Sequence, residues 1–229
     1  MQTINQSTGF RLRRLINLLV LMVALGGMVA PIHAQQGDKD AVGKVTKVNG
    51  LIFVRHGTSF KVAKPGLPIK LGSEISTAVF AQLEFELTDG TRVGMSERTV
   101  FLLDDYRYSS DAPGDSGAAF RIDSGALRIV PGDLSRARKE NMKVITPLAD
   151  VVGQGDATFW AGYKFFPDTS LHVALIDGDQ VAVRARGGEA VVSNPGHGTI
   201  LDTADDKPYK PSEWTPEKMN AIAEAVDIL

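Results

Sequence analysis

The clearest pattern in the chain is a one-for-one alternation of apolar and polar residues from position 81 to position 87. Successive side chains of a β-strand point to opposite faces, so this alternation predicts a strand with one face in the core and the other in solvent. The predicted core face consists of Ala81, Leu83, Phe85 and Leu87. Asp89-Gly90 follows directly and predicts a tight type I′ turn into a partner strand at residues 91–95.

Three more dipeptides of this kind separate strand-like runs, and each predicts a hairpin turn: Asn49-Gly50, Ser124-Gly125 and Asp177-Gly178. The spacing of the four turns is too irregular for a strict repeat array. Short runs rich in β-branched and aromatic residues recur as far as residue 193. The predicted fold class is therefore all-β, with stacked hairpins in a single domain.

A helix is predicted only near the C-terminal end of the sequence. Thr215 is a typical N-cap residue, and Pro216 suits the first helical position. Apolar residues then recur at helical spacing, at Met219, Ile222, Ala223 and Val226. We therefore expect a helix of about three turns that docks one apolar stripe on the β domain.

The first 34 residues have the composition of a secretory signal peptide. Arg11, Arg13 and Arg14 precede an apolar run at residues 15–30, no acidic residue occurs in the segment, and we expect cleavage after Ala34. A retained membrane anchor is the alternative, although the run is shorter than the roughly 20 apolar residues that a spanning helix needs. The protein is therefore expected to be periplasmic or secreted, with no stable membrane span after cleavage.

This division gives the expected organisation of the whole chain. A flexible tether is predicted to follow the signal peptide, and a linker is predicted to join the β domain to the helix. The predicted segments are 1–34 for the signal peptide, 35–42 for the tether, 43–204 for the β domain, and 205–229 for the linker and the C-terminal helix.

Charge argues against a nucleic-acid partner. The chain has 25 Lys and Arg and 27 Asp and Glu, and loss of the signal peptide with its three arginines leaves a net charge of about −5. A nucleic-acid-binding protein of this size usually carries a basic face. A nucleic-acid partner is therefore not expected.

The order of the segments resembles the FecR domain family. The resemblance covers about residues 43–200 and rests on seven short stretches taken together. They are the segment 43–54, Pro65-Gly66, Gly72-Ser-Glu-Ile-Ser-Thr77, Thr88-Asp-Gly-Thr91, Ser124-Gly-Ala-Leu127, Ile145-Thr-Pro-Leu-Ala149 and Ile176-Asp-Gly-Asp-Gln-Val181. The resemblance implies an all-β periplasmic module of short twisted strands and hairpins in a solenoid-like or sandwich-like single domain, which works by protein contacts.

The best-understood FecR proteins relay an outer-membrane signal to a sigma factor through further domains, and the sequence departs from that plan. Only 14 residues precede the apolar run, and only a linker and a short helix follow Leu201. Asp156-Ala-Thr158 also stands where the family usually has Arg-Gly-Thr. Transmembrane signalling is therefore not expected of this chain.

The sequence contains one motif that is similar to the nucleophile segment of a serine hydrolase. Ser116 lies in Gly114-Asp-Ser-Gly117, and His56 and Asp104 precede it in the order that trypsin-like enzymes use. Only 12 residues separate Asp104 from Ser116, and Gly, Asp and Ser also accumulate in ordinary loops. We therefore expect a non-catalytic function, and a hydrolase that uses Ser116 is the alternative.

No metal or cofactor site is expected from the sequence. The histidines that follow the signal peptide, His56, His172 and His197, do not have the spacing of zinc ligands. The acidic residues around Asp177-Gly-Asp179 and residues 202–206 lack the spaced oxygen ligands of a calcium loop.

The densest aromatic cluster of the chain lies at residues 159–166, and it supplies the candidate partner-binding surface. Exposed Trp and Tyr side chains are good anchors for a partner protein or a glycan, whereas Phe159 and Phe165 are expected in the core. A charged loop with Arg136 and Arg138 could meet an anionic polymer. The candidate binding residues are Trp160, Tyr163, Phe166, Arg136 and Arg138.

These observations predict an exported, non-catalytic module that contacts another envelope protein. A binder of cell-wall polysaccharide or peptidoglycan, acting through Trp160 and Tyr163, is the second hypothesis.

Overall fold

The computed structural model describes residues 40–112, 115–137 and 140–227. The chain in these ranges forms 17 strands and two short helices. The strands of the first part are β1 (Ala41–Asn49), β2 (Ile52–His56), β3 (Ser59–Val62), β4 (Pro68–Lys70), β5 (Glu74–Thr77), β6 (Gln82–Leu87), β7 (Arg92–Met95), β8 (Val100–Arg107) and β9 (Gly117–Val130). The strands of the second part are β10 (Met142–Ile145), β11 (Asp150–Gln154), β12 (Thr158–Tyr163), β13 (Leu171–Asp177), β14 (Gln180–Ala185), β15 (Gly188–Val192), β16 (His197–Leu201) and β17 (Ser212–Glu213). The helices are α1 (Asp133–Ala137) and α2 (Pro216–Glu224). The predicted all-β class with a short C-terminal helix is confirmed.

The strands form two sheets that share one strand. Sheet A has the order β4-β1-β6-β7-β9-β12-β13-β16-β17. Sheet B has the order β3-β2-β5-β8-β9-β10-β11-β14-β15. All neighbours are antiparallel except β9 and β10, and after β9 the chain places successive strand pairs alternately in the two sheets.

The shared strand β9 changes sheets in its middle. Its first half pairs with β8 and β10 in sheet B, and its second half pairs with β7 and β12 in sheet A. Ser124 is the last residue paired to β8, and Gly125 is the first paired to β12. The predicted hairpin at Ser124-Gly125 is therefore wrong, because the two halves of β9 pair with different strands and not with each other.

Two other predicted hairpin turns are also corners between the sheets. The turn at Asn49-Gly50 joins β1 in sheet A to β2 in sheet B, and these strands do not pair with each other. Asp177-Gly178 joins β13 in sheet A to β14 in sheet B in the same way. A glycine with positive φ permits either a hairpin or a corner, so the dipeptide located the turns but not the pairing partners.

Asp89-Gly90 does join paired strands, β6 and β7. Gly90 has φ of 84°, whereas Asp89 does not have positive φ, and the N–H of Gly90 donates to the carbonyl of Leu87 at 3.0 Å. A type I′ turn needs positive φ at both central residues, so the predicted turn type is wrong. The geometry is that of a turn closed by a single left-handed glycine.

The main core lies between the two sheets and contains the predicted core face of β6. Ala81, Leu83, Phe85 and Leu87 are buried there, and Phe85 contacts Phe101 of β8 edge to face at 5.5 Å. A second, smaller apolar cluster lies on the outer face of sheet A beneath α2. We call it the outer cluster, and its buried members are Ala126, Trp160, Ala174, Trp214, Ile222 and Val226.

The helix α2 has the predicted cap and apolar stripe. The hydroxyl of Thr215 accepts a hydrogen bond from the N–H of Lys218 at 3.3 Å, and Pro216 is the first helical residue. Ile222 and Val226 are buried against sheet A. Within the described residues no helix is both long and apolar enough to cross a lipid bilayer.

Some predicted boundaries differ from those of the structure. β1 begins at Ala41, inside the predicted tether, because its first residues pair with β4. The predicted linker contains β17, which pairs with β16. The strands β3, β4, β16 and β17 are too short or too polar to show a clear alternation in the sequence. The predicted signal peptide lies outside the described residues.

Candidate functional site

Trp160 and Tyr163 are buried, so the prediction that they are exposed anchors is wrong. Phe159 and Tyr163 point from β12 into the main core, where they are 0% and 8% exposed. Trp160 points to the opposite face, is 0% exposed, and lies in the outer cluster beneath α2. Both faces of β12 are covered, one by sheet B and one by the helix. The aromatic density of residues 159–166 therefore reflects packing.

Phe166 is half-buried at the margin of the outer cluster. Its ring lies 4.7 Å from the ring of His172 and 5.0 Å from that of Phe165, which itself packs edge to face on Trp160. Arg136 belongs to α1, and Arg138 lies outside the described residues. Of the three candidate side chains that the structure describes, Trp160 and Tyr163 are buried and Phe166 is half-buried, so these three do not form one exposed surface.

A polar network joins α2 to sheet A beside the outer cluster. His172 of β13 is 5% exposed, and its Nε2 is 3.0 Å from a carboxylate oxygen of Asp168. The ammonium of Lys218 lies 3.3 Å from Nδ1 of His172 and 3.6 Å from the ring centroid of Trp214. Nδ1 therefore accepts from Lys218, and the N–H at Nε2 donates to Asp168.

Burial sets the protonation of this network. Burial lowers the pKa of His172 below its ordinary value, although the hydrogen bond to Asp168 opposes the shift. Burial also lowers the pKa of Lys218. A neutral His172 can accept the hydrogen bond from Lys218, whereas a protonated His172 would place two cations 3.3 Å apart. This arrangement holds the first turn of α2 on the sheet.

The residues of the hydrolase hypothesis do not assemble. Ser116 is 5% exposed, and its Oγ accepts a hydrogen bond from the N–H of Ser109 at 3.3 Å. His56 ends β2, which is separated from β9 in sheet B by β5 and β8. Asp104 pairs with Arg121 at 2.9 Å. A general base must lie within hydrogen-bond reach of its nucleophile, and His56 does not meet that condition.

Two of the acidic residues considered for calcium, Asp202 and Asp205, have other partners. Asp202 accepts hydrogen bonds from Tyr209 at 2.5 Å and Ser170 at 2.8 Å, and Asp205 pairs with Arg186 at 2.7 Å. In the part of the chain that the structure describes, no three His, Cys, Asp or Glu side chains come together in a way that could hold a metal ion.

Exposed apolar side chains concentrate in the first part of the domain. Nine large apolar side chains are exposed among the described residues, and seven of them lie between positions 51 and 100. The seven are Leu51, Phe60, Val62, Leu71, Val79, Phe80 and Val100. Large apolar side chains scattered singly need no explanation, but adjacent ones indicate a contact site.

Several of these side chains form a row across the outer face of sheet B. Phe53 of β2 lies directly opposite Val62 of β3 and Ser76 of β5, and Ser76 lies opposite Val100 of β8. Phe60 lies two residues before Val62 in β3, opposite Arg55, and its ring stacks on that of Phe53 at 5.0 Å. We call the outward-facing residues the apolar surface, and its members are Leu51, Phe53, Phe60, Val62 and Val100.

The sheet corner next to the apolar surface displays a phenylalanine in an unusual conformation. Phe80 is 84% exposed and has φ of 59°, a region that residues with a side chain rarely occupy. Its N–H donates to the carboxylate of Glu97. The N–H of Ala78 donates to the carbonyl of Leu51 at 3.0 Å, which joins this corner to the apolar surface. Local strain that the surroundings maintain is common at functional sites.

The apolar surface could not be recognised from the sequence, because its residues come from separate segments. Phe60 and Val62 alternate with Ser59 and Lys61, which is a two-residue pattern too short to stand out. Their neighbours in the row lie on other strands, so only the register of sheet B brings them together. Aromatic density along the chain identified the core at residues 159–166 and not the exposed surface.

Comparisons with known proteins assign no family to this chain. No family model matches the sequence, and no curated protein is significantly similar to it. The resemblance to the FecR domain therefore stays a prediction.

Two solved structures of a candidate anti-sigma factor from Parabacteroides distasonis are similar in fold. The first has 20% sequence identity and a TM-score of 0.49, and the alignment covers 65% of this chain and 62% of that chain. The second has 21% identity and a TM-score of 0.48, with 65% and 63% covered. The matched part thus spans less than two thirds of those proteins, and no function is transferred from them at this level of similarity.

Proposed function

We propose that this protein is a non-catalytic binding module of the cell envelope that contacts another protein through the apolar surface of sheet B. The observation that supports the proposal is the row of outward-facing side chains from the exposed Val62 through the half-buried Phe53 to the exposed Ser76 and Val100. Burial of one such side chain contributes about 1.5–3 kcal/mol, so covering several of them together can drive association.

The composition of the apolar surface favours a protein partner over a glycan. Phe, Val and Leu side chains offer apolar area without hydrogen-bonding groups, whereas sugar hydroxyls need donors and acceptors. Both tryptophans of the chain, Trp160 and Trp214, are buried and cannot form a stacking platform. The polysaccharide hypothesis therefore loses the residues on which it was based.

The proposed envelope location rests on the signal-like segment at residues 1–34. Fractionation of cells that produce the protein at its natural level tests it. We expect the protein in the periplasmic or secreted fraction, shortened at its N-terminus. Recovery in the cytoplasmic fraction would contradict the proposed location and leave the binding surface to be tested separately.

Photo-crosslinking in intact cells tests the binding surface. A photoreactive phenylalanine analogue replaces Phe60 or Val100 in separate variants, and it replaces the exposed Lys210 in the control variant. We expect the same crosslinked protein from positions 60 and 100 and none from position 210. The proposal is wrong if positions 60 and 100 capture nothing, or if position 210 captures the same protein.

Substitution within the surface gives the second test. Replacing Phe53, which is half-buried at the centre of the row, by Ser should abolish capture at position 100. Replacing Val191, an exposed apolar residue of β15 at the far side of sheet B, by Ser is the matched control and should leave capture unchanged.

A further inference from the structure

Among the described residues, the strand β3 pairs with β2 alone and ends sheet B on this side. One side of its backbone therefore has no strand partner within residues 40–112, 115–137 and 140–227. The N–H of Ala63 donates to the carbonyl of Ile52 at 2.9 Å, and hydrogen-bonded residues alternate along an antiparallel pair. The backbone groups of Phe60 and Val62 therefore point away from β2, toward the position that a further strand would occupy.

The edge at β3 is short, with four residues, and it carries Lys61, but it lacks the proline and the bulge that protect other sheet edges. Natural edge strands are blocked by proline, by charge, by a bulge or by shortness. At the edges of sheet A, β4 begins with Pro68, and β17 has two residues. By contrast, β3 has no proline, its register with β2 is regular, and it carries Phe60 at 62% and Val62 at 55% exposure.

The two faces of β3 differ in chemistry. Phe60 and Val62 lie on the outer face, where Phe53 stacks on Phe60. Lys61 lies on the other face, opposite the buried Val54, beside a cleft of about 170 Å³ that is also lined by His56 and Lys70. A strand added beside β3 would meet apolar side chains on one face and basic side chains on the other.

The region around β3 is basic in a chain that is otherwise balanced in charge. Residues 51–73 contain four Lys and Arg and no Asp or Glu, whereas the whole chain has 25 basic and 27 acidic residues. Arg55 pairs with Glu74, but Lys61 and Lys64 are exposed and form no ion pair with any described residue. The local charge therefore favours an acidic partner.

We propose that β3 receives an extended, acidic segment of the partner protein as an additional strand of sheet B. This inference rests on the proposed function and adds the chemistry of the partner. Backbone hydrogen bonds from Phe60 and Val62 supply the pairing, apolar residues of the segment pack beside their side chains, and alternate acidic residues face Lys61. The alternation of apolar and acidic residues is thus the expected recognition pattern.

A synthetic peptide tests the inference on the purified protein. The probe is a peptide of about ten residues that alternates valine with glutamate, and its counterpart carries lysine in place of glutamate. Fluorescence anisotropy measures affinity, and amide hydrogen exchange followed by NMR reports on Phe60 and Val62. We expect the acidic peptide to slow exchange at both amides and to bind at least about tenfold more tightly than the basic one.

Two variants separate backbone pairing from charge. Val62→Pro removes an N–H that β2 does not use, so the pairing of β2 and β3 is retained, and binding should weaken about tenfold relative to Val62→Ile. The double variant Lys61→Glu/Lys64→Glu keeps the backbone intact and should prefer the basic peptide. Equal binding of the acidic peptide by Val62→Pro and Val62→Ile, or unchanged exchange at Phe60 and Val62, would overturn the inference.

The remaining outcomes are also decisive. If the protein sediments as a dimer that Val62→Pro dissociates, a second copy of the chain occupies the edge and the inference is wrong. If crosslinking from positions 60 and 100 succeeds in cells while the peptide experiment fails, the proposed function stands and only the partner chemistry is wrong. If both fail, the proposed function itself is wrong.

Discussion

Replacement of Ile222 by Ala should detach α2 from sheet A under conditions in which the two sheets stay folded. Ile222 is 0% exposed and contacts the outer cluster, whereas the main core lies on the other side of sheet A. The helix therefore depends on its own apolar stripe and not on the core between the sheets. Loss of the Ile222 side chain weakens the docking of the helix directly.

The magnitude follows from burial and from the position of the helix. Truncation of a fully buried Ile to Ala costs about 2–5 kcal/mol, depending on how far the site can close over the cavity. The helix packs with one face only, so it can shift toward the sheet, and we expect the lower end, about 2 kcal/mol. The ratio of docked to undocked helix should fall about 30-fold.

The tryptophans make this change measurable. The chain has two tryptophans, Trp160 and Trp214, and both lie in the outer cluster. Their emission shifts to longer wavelength when water reaches them, whereas far-ultraviolet circular dichroism follows the strands. In urea, we expect the emission transition of Ile222→Ala to precede the dichroism transition.

Asn220→Ala is the matched control, because Asn220 is exposed on the same helix and its replacement removes no packing. Independent docking of α2 is contradicted if the emission midpoint of Ile222→Ala equals that of Asn220→Ala. It is also contradicted if the emission and the dichroism of Ile222→Ala change together.

Three further predictions follow from single positions. Gly125→Ala should lower the free energy of unfolding by about 3 kcal/mol, because a Cβ there would overlap the backbone of Thr99. Gly72→Ala, at a similar φ but with open space around it, should lower it by about 1 kcal/mol. Chemical denaturation measures both losses, and equal losses would contradict the steric reason. Phe80→Gly and Arg98→Gly each relieve the strain of a positive φ and should each stabilise the protein by about 0.5 kcal/mol in thermal denaturation. Only Phe80→Gly should also reduce crosslinking from position 100, because it removes an exposed aromatic ring. Reduced crosslinking with Arg98→Gly would count against a role for that ring. The free energy of unfolding should decrease as pH falls from about 7 through the lowered pKa of His172, because the unfolded chain binds a proton there more readily than the folded state does. In the folded state Lys218, Asp168 and Asp202 surround the ring. His172→Gln should flatten the dependence of the melting temperature on pH, and an unchanged slope in that variant would exclude His172 as its origin.

The periodic elements of this fold could be predicted from the sequence because their signals are local. The alternation at residues 81–87 gave the correct buried face of β6, and the capping and apolar residues of α2 gave its start and its docking stripe. Both depend on side chains a few positions apart. Tertiary contacts agree with these local preferences and do not override them.

Strand pairing could not be predicted, because the same dipeptide serves two geometries. Asp89-Gly90 closes a hairpin, whereas Asn49-Gly50 and Asp177-Gly178 turn the chain from one sheet to the other. A left-handed glycine permits both geometries, and the strands that lie beside the turn in space decide between them. Those strands are distant in the sequence.

The candidate site was misplaced for a related reason. Trp160 and Tyr163 are close together in the sequence, but they lie on opposite faces of β12 and are covered by different layers. Phe53, Val62 and Val100 are far apart in the sequence, but the register of sheet B places them in one row. Exposure depends on what covers a strand, and a single strand does not carry that information.

The change of sheet within β9 also has a consequence for the order in which the strands can pair as the chain is synthesised. Strands β7 and β8 of the first part of the chain both pair with β9, so each sheet retains an unpaired edge until residue 130 is available. The strands β10 and β12 then pair with the opposite edges of β9. The first part of the domain must therefore wait for β9, whereas the second part can assemble pair by pair on a completed template as it emerges.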